Sequence, residues 1–386
     1  MMVRFTLLLS VAAILLLSLS GCTDFIEPNQ LAIILGTAVD HAEGDNIEIS
    51  NQIVIPSQLN GSNKGGGSGG EDNYIVVSAT GRNVFDASQK IQGKISRRLM
   101  TSHRILIAVG EEFFAKHELN KLFDKLGRDP ANNLRDTIVI VRGSSAKEFL
   151  KLKHPMEYNS SVAAGKEMQI NGLEGFTSRH IVIESLAQGT RPFIPYIQIQ
   201  EVELNSKKKT PIAAVAGFAV MDKNMRIKGF LNAGEGALAI WMIGKGSNGG
   251  ITIPSKNGKG VLSFRLTHQK RRIHAGNDPA HVVLTVKAQA YLLENSTSLD
   301  MSKSENMVAL QRYLNKQIQK ELQQTMGKIQ HFGPDVIGIG EYLHRKYPYW
   351  WKTQKADWDN NFKKIDVTIQ AKIQLRSTGV TGAPLD

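Results

Sequence analysis

A single cysteine near the start of the chain is the residue best placed to do chemistry. Cys22 is the only cysteine among 386 residues, and it ends the run Leu-Ser-Gly-Cys at residues 19–22. Arg4 and an apolar run over residues 5–19 come before it. That run is shorter than the roughly 20 residues that a helix needs to cross a bilayer core. A basic start, an apolar run and small residues before a cut are typical of an export signal, here with a thiol at the cut.

The small residues before Cys22 resemble the lipobox of bacterial lipoproteins. The resemblance implies that the thiol receives a diacylglyceryl group and that the chain is cleaved just before it, which makes residues 1–21 a signal peptide. No thiol then remains, so we expect no disulfide, and stability must come from packed cores. The alternative is an ordinary cleaved signal, or a weak transmembrane helix, in which the position of Cys22 is incidental.

Motifs that would indicate an enzyme are missing or stand in the wrong context. Residues 66–70 spell G-x-S-x-G, but they lie in a glycine-rich stretch and not between a strand and a helix, as a nucleophile elbow requires. His117 and Glu118 begin a zinc-protease motif, but Lys121 stands where its second histidine belongs. We therefore expect no enzyme, no metal and no cofactor other than the lipid on Cys22. A facing pair of carboxylates leaves no motif, so a glycosidase site stays open.

The chain is basic, with a formal net charge of +12. Its densest clusters, at residues 270–272 and 207–209, lack the interleaved aromatic residues of single-stranded nucleic-acid grooves. Solvated turns account for both clusters, and we expect no nucleic-acid partner. Next to a bilayer, each basic residue would add about 1 kcal/mol of attraction, so a membrane surface is an expected partner.

In the first half of the chain, apolar patterns predict strands that alternate with helices. We expect strands over residues 31–35, 46–55, 74–77, 104–109, 137–141 and 192–202, and helices over residues 83–100, 111–126 and 145–152. A glycine-rich loop at residues 57–73 separates two of the strands. This order favours a mixed sheet covered by helices.

The second half shows a hairpin, an apolar helix, two strands and a regular end. The predicted elements are a hairpin at residues 213–231, a helix over 235–243, strands over 261–266 and 282–293, helices over 302–332 and 335–346, and a strand over 365–375. Ser302 and Glu305 read as the capping box of the long helix. The fold class is therefore α+β, built of mixed α/β domains in which helices pack on a sheet. We place the domains at residues 22–202 and 206–386, with a candidate subdivision of the second near residue 295.

One segment combines aromatic and basic side chains, from His344 to Lys352. The interpretation that we favour is a core plug, in which large rings fasten a loop onto a sheet. The other is a partner surface, because Trp, Tyr and Arg are the usual anchors of interfaces. The residues of this predicted partner or structural surface are Glu341, Tyr342, His344, Arg345, Tyr347, Trp350 and Trp351.

Along nearly its whole length the chain resembles the GerAC-type C-subunit lipoproteins of spore germinant receptors. Residues 31–40 (LAIILGTAVD) and 102–111 (SHRILIAVGE) follow the family's N-terminal pattern, and residues 217–221 (GFAVM) resemble the start of its C-terminal half. The most specific segment is DVIGIGEYLHRKYP at residues 335–348. It is similar to the family signature D-x-x-G-x-G-E-x-x-[HR]-[RK]-x-x-P.

The resemblance implies a non-enzymatic, lipid-anchored protein of three mixed α/β domains at the extracytoplasmic face of the spore inner membrane. Its expected partners are a multi-spanning, transporter-like receptor subunit and a second membrane subunit, with which it takes part in nutrient-triggered germination. Within the signature, Gly338, Gly340, Glu341 and Pro348 are expected to pack a helix closely on its neighbour and then to end it.

Two other functions stay open beside the receptor subunit. A solute-binding lipoprotein that serves a membrane transporter would bind a small molecule by itself. A wall-active hydrolase would need a catalytic site, and none is recognisable in the sequence.

Overall fold

The computed structural model describes residues 26–55, 73–129, 132, 134–205, 208–246 and 248–377. The predicted signal peptide, Cys22 and the glycines of residues 61–70 lie outside these residues. Within the described part of the chain, strands and helices alternate in the first half, and long antiparallel strands precede the longest helix in the second. The α+β class predicted from the sequence is confirmed.

The strands are β1 (Leu31–His41), β2 (Ile47–Val54), β3 (Tyr74–Gly81), β4 (Arg98–Met100), β5 (Leu106–Gly110), β6 (Thr137–Arg142), β7 (Phe193–Asn205), β8 (Lys208–Met221), β9 (Ile227–Asn232), β10 (Asn248–Pro254), β11 (Val261–Ala275), β12 (His281–Asn295) and β13 (Asp366–Ser377). The helices are α1 (Val84–Gln92), α2 (Phe113–Lys116), α3 (Asn120–Arg128), α4 (Ala146–Lys151), α5 (Ser160–Ile170), α6 (Ser178–Leu186), α7 (Ala233–Ile243), α8 (Ser304–Phe332), α9 (Ile339–Lys346), α10 (Pro348–Gln354) and α11 (Trp358–Asn361).

The first sheet is mixed and has the order β3-β2-β1-β5-β6-β7-β8-β9, with β4 beside β1. Its central strands β1, β5, β6 and β7 run parallel to one another, and the outer strands are antiparallel. Parallel strands are covered on both faces, which explains why every residue of β5 is buried. Leu106 and Ala108 point into the core under α4 and α5, whereas Ile107 and Val109 point into the core under α1, α2 and α3.

The second sheet has the order β10-β11-β12-β13, and α8 packs across it. The helix buries one apolar stripe, as its sequence period predicts, and the stripe consists of Leu310, Leu314, Ile318, Leu322, Met326 and Ile329. The core under this helix is continuous with the core on the α4–α5 face of the first sheet. The two sheets therefore share a hydrophobic core.

A row of amide side chains on α8 covers the open edge of β13. The Oδ1 of Asn315 accepts from the backbone N–H of Ile373 at 2.7 Å, and the Oε1 of Gln323 accepts from the N–H of Ile369 at 3.0 Å. Gln311 and Gln319 accept from the N–H groups of Leu375 and Ala371 in the same way. The amides recur every four residues, so one helix face satisfies alternate backbone groups of the strand, and the edge is closed to further strand pairing.

Several predicted elements need correction. Ser302 and Glu305 do not form the predicted capping box, because the Ser302 hydroxyl donates to Asp300 at 2.6 Å and α8 begins only at Ser304. A capping box does form at the start of α7, between Asn232 and Glu235.

Other helix bounds differ for local reasons. The helix predicted over residues 83–100 ends at Gln92, and residues 98–100 form β4 beside β1. The helices α5 and α6 are absent from the sequence prediction, because serines share their buried positions with apolar residues and no single apolar stripe marks them. Strand β10 is absent from it too, since glycines open the segment.

The predicted division between residues 202 and 206 falls where β7 turns into β8. These two strands pair with each other over most of their length within the first sheet. The number and the bounds of the domains stay a prediction.

Candidate functional site

Asp335 is the centre of the signature segment, and its side chain is fully buried. It lies between the end of α8 at Gly333 and the start of α9. Its Oδ1 accepts hydrogen bonds from the backbone N–H groups of Gly338 at 2.8 Å and Ile339 at 3.2 Å. Its Oδ2 accepts from the N–H of Gly340 at 2.7 Å and from Nε1 of Trp358 at 3.2 Å. One carboxyl group therefore collects four donors.

Burial and hydrogen bonding shift the pKa of this carboxyl group in opposite directions. Burial raises the pKa of Asp335, and the N–H groups of Gly340, Gly338 and Ile339 lower it, with a net shift above the ordinary value. Every neighbour that contacts an oxygen of this group is a donor. The group therefore organises the loop and is not free to exchange protons with a substrate.

The same loop is fastened to the first half of the chain. The carbonyl oxygen of Asp335 accepts from the backbone N–H of Arg191 at 2.8 Å, and the carbonyl oxygen of Gly189 accepts from the N–H of Glu341 at 2.9 Å. The side chain of Arg191 forms an ion pair with Asp359, with Nε and Oδ1 2.8 Å apart. We call this junction, formed by residues 189–191, residues 335–341, Trp358 and Asp359, the clasp.

Two glycines make the clasp possible. A Cβ on Gly340 would lie 2.5 Å from Nε1 of Trp358 and 2.7 Å from the carbonyl oxygen of Gly189. A Cβ on Gly189 would meet the backbone of residues 340 and 341. Gly338 precedes α9 with φ 79°, in the left-handed region that glycine adopts most easily. Backbones approach here to distances that only glycine allows.

Aromatic rings pack behind the clasp. Trp351 and Trp358 are each 1% exposed, and their ring centroids lie 4.8 Å apart in an edge-to-face arrangement. The ring of His344 stacks on Trp351 at 5.6 Å. The clasp is thus supported from the inside by three rings, of which two come from the predicted surface set.

The seven predicted surface residues separate into inner and outer members. Trp351 is buried, Arg345 is exposed, and the partly buried members are Glu341, Tyr342, His344, Tyr347 and Trp350. Tyr349, which is not among the predicted residues, is 84% exposed. The segment therefore has both a core face and a solvent face.

Hydrogen bonds hold the solvent face at the end of β11. The Tyr342 hydroxyl accepts from the backbone N–H of Ala275 at 3.1 Å, and the Tyr347 hydroxyl donates to the carbonyl oxygen of the same residue at 2.8 Å. Lys346 donates to that carbonyl oxygen too, at 2.8 Å. Hydrogen bonding by the two tyrosine hydroxyls raises the pKa of Lys346.

The exposed groups that remain are aromatic and basic. Tyr349 stands beside Lys352, whose Nζ lies 5.7 Å from the ring centroid. We call the solvent face of α9 and α10 the α9–α10 surface, and its exposed members are Arg345, Lys346, Pro348, Tyr349, Lys352 and Thr353.

A cleft of about 360 Å³ lies beside α9 and is lined also by residues of α6, α7 and β11. Glu341, Tyr342 and Arg345 of α9 line it together with Arg271 of β11. The Nη1 atom of Arg271 donates to the carbonyl oxygens of Met242 at 2.9 Å and Ile337 at 2.6 Å, so this cation holds backbone. Burial lowers the pKa of Arg271.

The cleft shows neither a metal site nor an arrangement for nucleophilic catalysis. Lys245 at its edge is paired with Glu184 at 2.9 Å. Over the described part of the chain, no three His, Cys, Asp or Glu side chains come close enough to hold a metal ion. The geometry therefore supports a packed junction and an outward-facing surface.

The sequence points to the signature segment but not to the segment that it contacts. Nothing in residues 187–191 marks them as the partner of α9. Asp335 is the residue from which this site could have been predicted. An aspartate three residues before a glycine can accept from the backbone at the start of a helix.

The sequence matches two adjoining family models. One, described as "Spore germination protein N-terminal domain", covers residues 24–199, and the other, "Spore germination B3/ GerAC like, C-terminal", covers residues 216–379. Between them they cover the clasp, the second sheet and the first sheet apart from residues 200–215 of β7 and β8.

Similar whole proteins and a similar solved structure agree with these matches. "Spore germination protein KC" of Bacillus subtilis (strain 168) is 27% identical over 400 residues, which cover 100% of this chain and 98% of that protein. "Spore germination protein B3" of the same organism is 22% identical and covers 97% of this chain and 98% of its own length. The crystal structure of the GerBC protein superposes with a TM-score of 0.55 at 18% identity over 88% of this chain and 96% of that one, which shows a common fold. The chain therefore belongs to the spore germination B3/GerAC family.

Proposed function

We propose that this protein is a lipid-anchored, non-enzymatic subunit of a spore germinant receptor complex, needed for nutrient-triggered germination. Its place is the extracytoplasmic face of the spore inner membrane. There it contacts a multi-spanning, transporter-like subunit and a second membrane subunit.

The observation that carries the proposal is that the signature segment has a packed inner side and an exposed outer side. The four donors around Asp335 and the packed rings of Trp351 and Trp358 satisfy the inner side of the segment. The oxygens of the Asp335 side chain are thus all engaged in hydrogen bonds within the protein. The outer side presents Tyr349, Arg345 and Lys352 on two short helices that the clasp holds rigid.

Rigid presentation of aromatic and basic groups suits protein recognition. Tyrosine and arginine are enriched among the residues that dominate binding energy, and rigid groups lose little entropy when they bind. Helix α6, whose following loop contacts Trp351 through Gln188, also exposes Ile183 and Leu186. These features support an interface for a protein partner.

The anchor supplies the location. Within the described residues, no helix is both long and apolar enough to span a membrane. A lipid on Cys22 would hold the chain at the bilayer, and two or more acyl chains anchor a protein stably where one does so only marginally. Confinement to the membrane plane raises the effective concentration of integral partners.

The test is cross-linking from the α9–α10 surface in spores. A photo-reactive amino acid replaces Tyr349 in the full chain, and spore membranes are irradiated. We expect a covalent product with a membrane receptor subunit. The matched control carries the same group at Val308, an exposed apolar position on α8. Equal products from both positions, or none from position 349 while the protein is in the membrane, would reject the proposed interface.

A further inference from the structure

A bulge in β11 interrupts the regular strand pairing at two residues, His268 and Gln269. The pairing of β11 with β12 shifts between Thr267 and Lys270, so that His268 and Gln269 have no regular partners in the ladder. His268 has φ 53°, a left-handed conformation that is uncommon for a residue with a side chain. Bulges and such backbone conformations often re-aim a side chain beside a binding site.

The bulge adjoins a cleft of about 460 Å³ between α7, α8, β10 and β11. This volume lies in the range of about 300–1,000 Å³ that small-molecule sites occupy. Apolar side chains line part of it, namely Leu238, Ile240, Trp241, Ile251 and Leu266.

Glycines keep the cleft open beside Gln269. A Cβ on Gly249 would lie 3.2 Å from Nε2 of Gln269, and a Cβ on Gly246 would meet Oε1 of the same side chain. Both glycines line the cleft. Larger residues at these positions would displace the amide, so the glycines and the bulge together place Gln269 in the cleft wall.

Several polar side chains of the cleft have no hydrogen-bond or ion-pair partner among the described residues, and two of them could bind a ligand. Gln269 and the half-buried Glu321 make no hydrogen bond or ion pair with any other residue that the structure describes. The other carboxylate of the cleft is occupied, since Glu235 caps α7 and pairs with Lys328 at 2.7 Å. An unpaired, partly buried carboxylate is stabilised by a cation.

We propose that this cleft binds a small organic ammonium compound. Its cationic group pairs with Glu321, a polar group of the ligand bonds to the amide of Gln269, and its apolar part lies against Trp241 and Leu266. The combination of apolar wall, amide and single free carboxylate selects for a compound that carries both an ammonium group and a hydrocarbon portion. The inference concerns residues 234–325 and does not rest on the lipid anchor or on the receptor role.

The surroundings of Glu321 make the binding of the proposed ligand depend on pH. Burial raises the pKa of Glu321, and the adjacent Lys320 lowers it. Glu235, with its partner Lys328, is the other charged group of the cleft. An ammonium ligand needs the ionised form of Glu321, so its affinity is highest above the raised pKa of this carboxyl group and falls as the pH drops through it.

The experiment is calorimetric titration of the full chain in detergent with three amines, namely tyramine, hexylamine and cadaverine. At about pH 7.5 we expect at least one of them to bind, and 4-ethylphenol, which lacks the ammonium group of tyramine, to bind at least tenfold more weakly than tyramine if tyramine is a ligand. Glu321→Gln should weaken amine binding at least tenfold. Glu305→Gln, an exposed position on the same helix, should leave it unchanged.

A second variant separates loss of the site from loss of folding. Leu238→Trp fills the cleft from a partly exposed position and should abolish binding while the melting temperature stays close to that of the unmodified chain. As the pH is lowered from about 7.5 to the ordinary carboxyl value of 4.5, the wild-type affinity should fall and that of Glu321→Gln should not. The proposal is overturned if none of the three amines produces heat, or if Glu321→Gln and Leu238→Trp bind them as tightly as the wild type.

Discussion

The indole Nε1 of Trp358 donates to Oδ2 of Asp335 across 3.2 Å, although the two residues are 23 positions apart. Between them lie α9 and α10, so this hydrogen bond closes a loop around the whole α9–α10 surface. Because both side chains are buried, the bond lies in an environment where an unmet donor or acceptor is costly. The bond between these two buried side chains therefore holds the exposed α9–α10 surface in place.

Substitution of Asp335 should destabilise the protein strongly. Asp335→Ala removes the acceptor of four neutral N–H groups, and each buried donor left without a partner costs about 1–3 kcal/mol of unfolding free energy. Asp335→Asn should also destabilise, because an amide presents two donors to groups that are donors themselves. Urea unfolding measures both. As a control, Asp124→Ala on the exposed face of α3 should change stability little, and a loss below about 1 kcal/mol for Asp335→Ala would show that the clasp is not organised by this carboxyl group.

The close approach of Gly340 to Trp358 predicts opposite effects for two glycine-to-alanine changes. Gly340→Ala forces the loop apart, and we expect a loss of about 1–3 kcal/mol of unfolding free energy, as for overpacked cores. Gly327→Ala lies in α8, where a new Cβ meets nothing within 4 Å, and should stabilise by about 0.5–1 kcal/mol. Thermal and urea unfolding compare the two. Equal effects would mean that the space around Gly340 is not limiting.

The amide row on α8 predicts a change in both stability and association. Gln323→Ala removes a hydrogen bond from Ile369 and one to Val367, at 3.0 Å and 2.8 Å, which should cost about 1–2 kcal/mol. The freed edge of β13 can then pair with another chain, so sedimentation should show more self-association. Gln317→Ala is the control, because Gln317 makes no hydrogen bond with β13 among the described residues. A monomeric Gln323→Ala protein of unchanged stability would contradict the assigned role.

Asp86 should make α1 sensitive to acid. A hydrogen bond from the backbone N–H of Arg82 lowers the pKa of Asp86, and Lys90 lowers it further. A lowered folded-state pKa means that the stabilisation is present above the ordinary value of 3.8 and is lost as the pH falls through the folded-state pKa.

The wild type should therefore melt at a higher temperature than Asp86→Asn at about pH 6, and the two should converge near pH ~2. Asp45→Asn is the matched control, since Asp45 is exposed and makes no hydrogen bond or ion pair with other described residues. A constant difference in melting temperature between wild type and Asp86→Asn over this range would exclude the carboxylate as its source.

Elements with a clean period could be predicted from the sequence. The buried stripe of α8 and the alternation of β13 both follow from residue spacing, and the structure has both elements close to the predicted bounds. Helix α9 begins four residues later than predicted, because the Asp335 side chain accepts from the N–H groups of Gly338, Ile339 and Gly340 and so satisfies the first backbone donors of the helix from outside it.

Contacts between segments that lie far apart in the chain could not be predicted from a single sequence. The link between Gly189 and Glu341 depends on how two sheets pack, and no local pattern records it. The amide row was visible as Gln311, Asn315, Gln319 and Gln323 at four-residue spacing, but its meaning depends on the edge of β13. The bulge at His268 could not be predicted, because the apolar alternation ends at Leu266 and residues 267–272 are all polar.

A lipid on Cys22 that places this protein beside the membrane subunits of a germinant receptor is the centre of the proposed function. Cys22→Ala in the full chain tests it most directly, by fractionation of spore membranes together with the germination response to nutrients. We predict that Cys22→Ala leaves the membrane fraction and that the response is lost, while Ser20→Ala, which keeps a small residue before the cysteine, behaves as the wild type. A soluble Cys22→Ala protein with an intact germination response would contradict the proposed function.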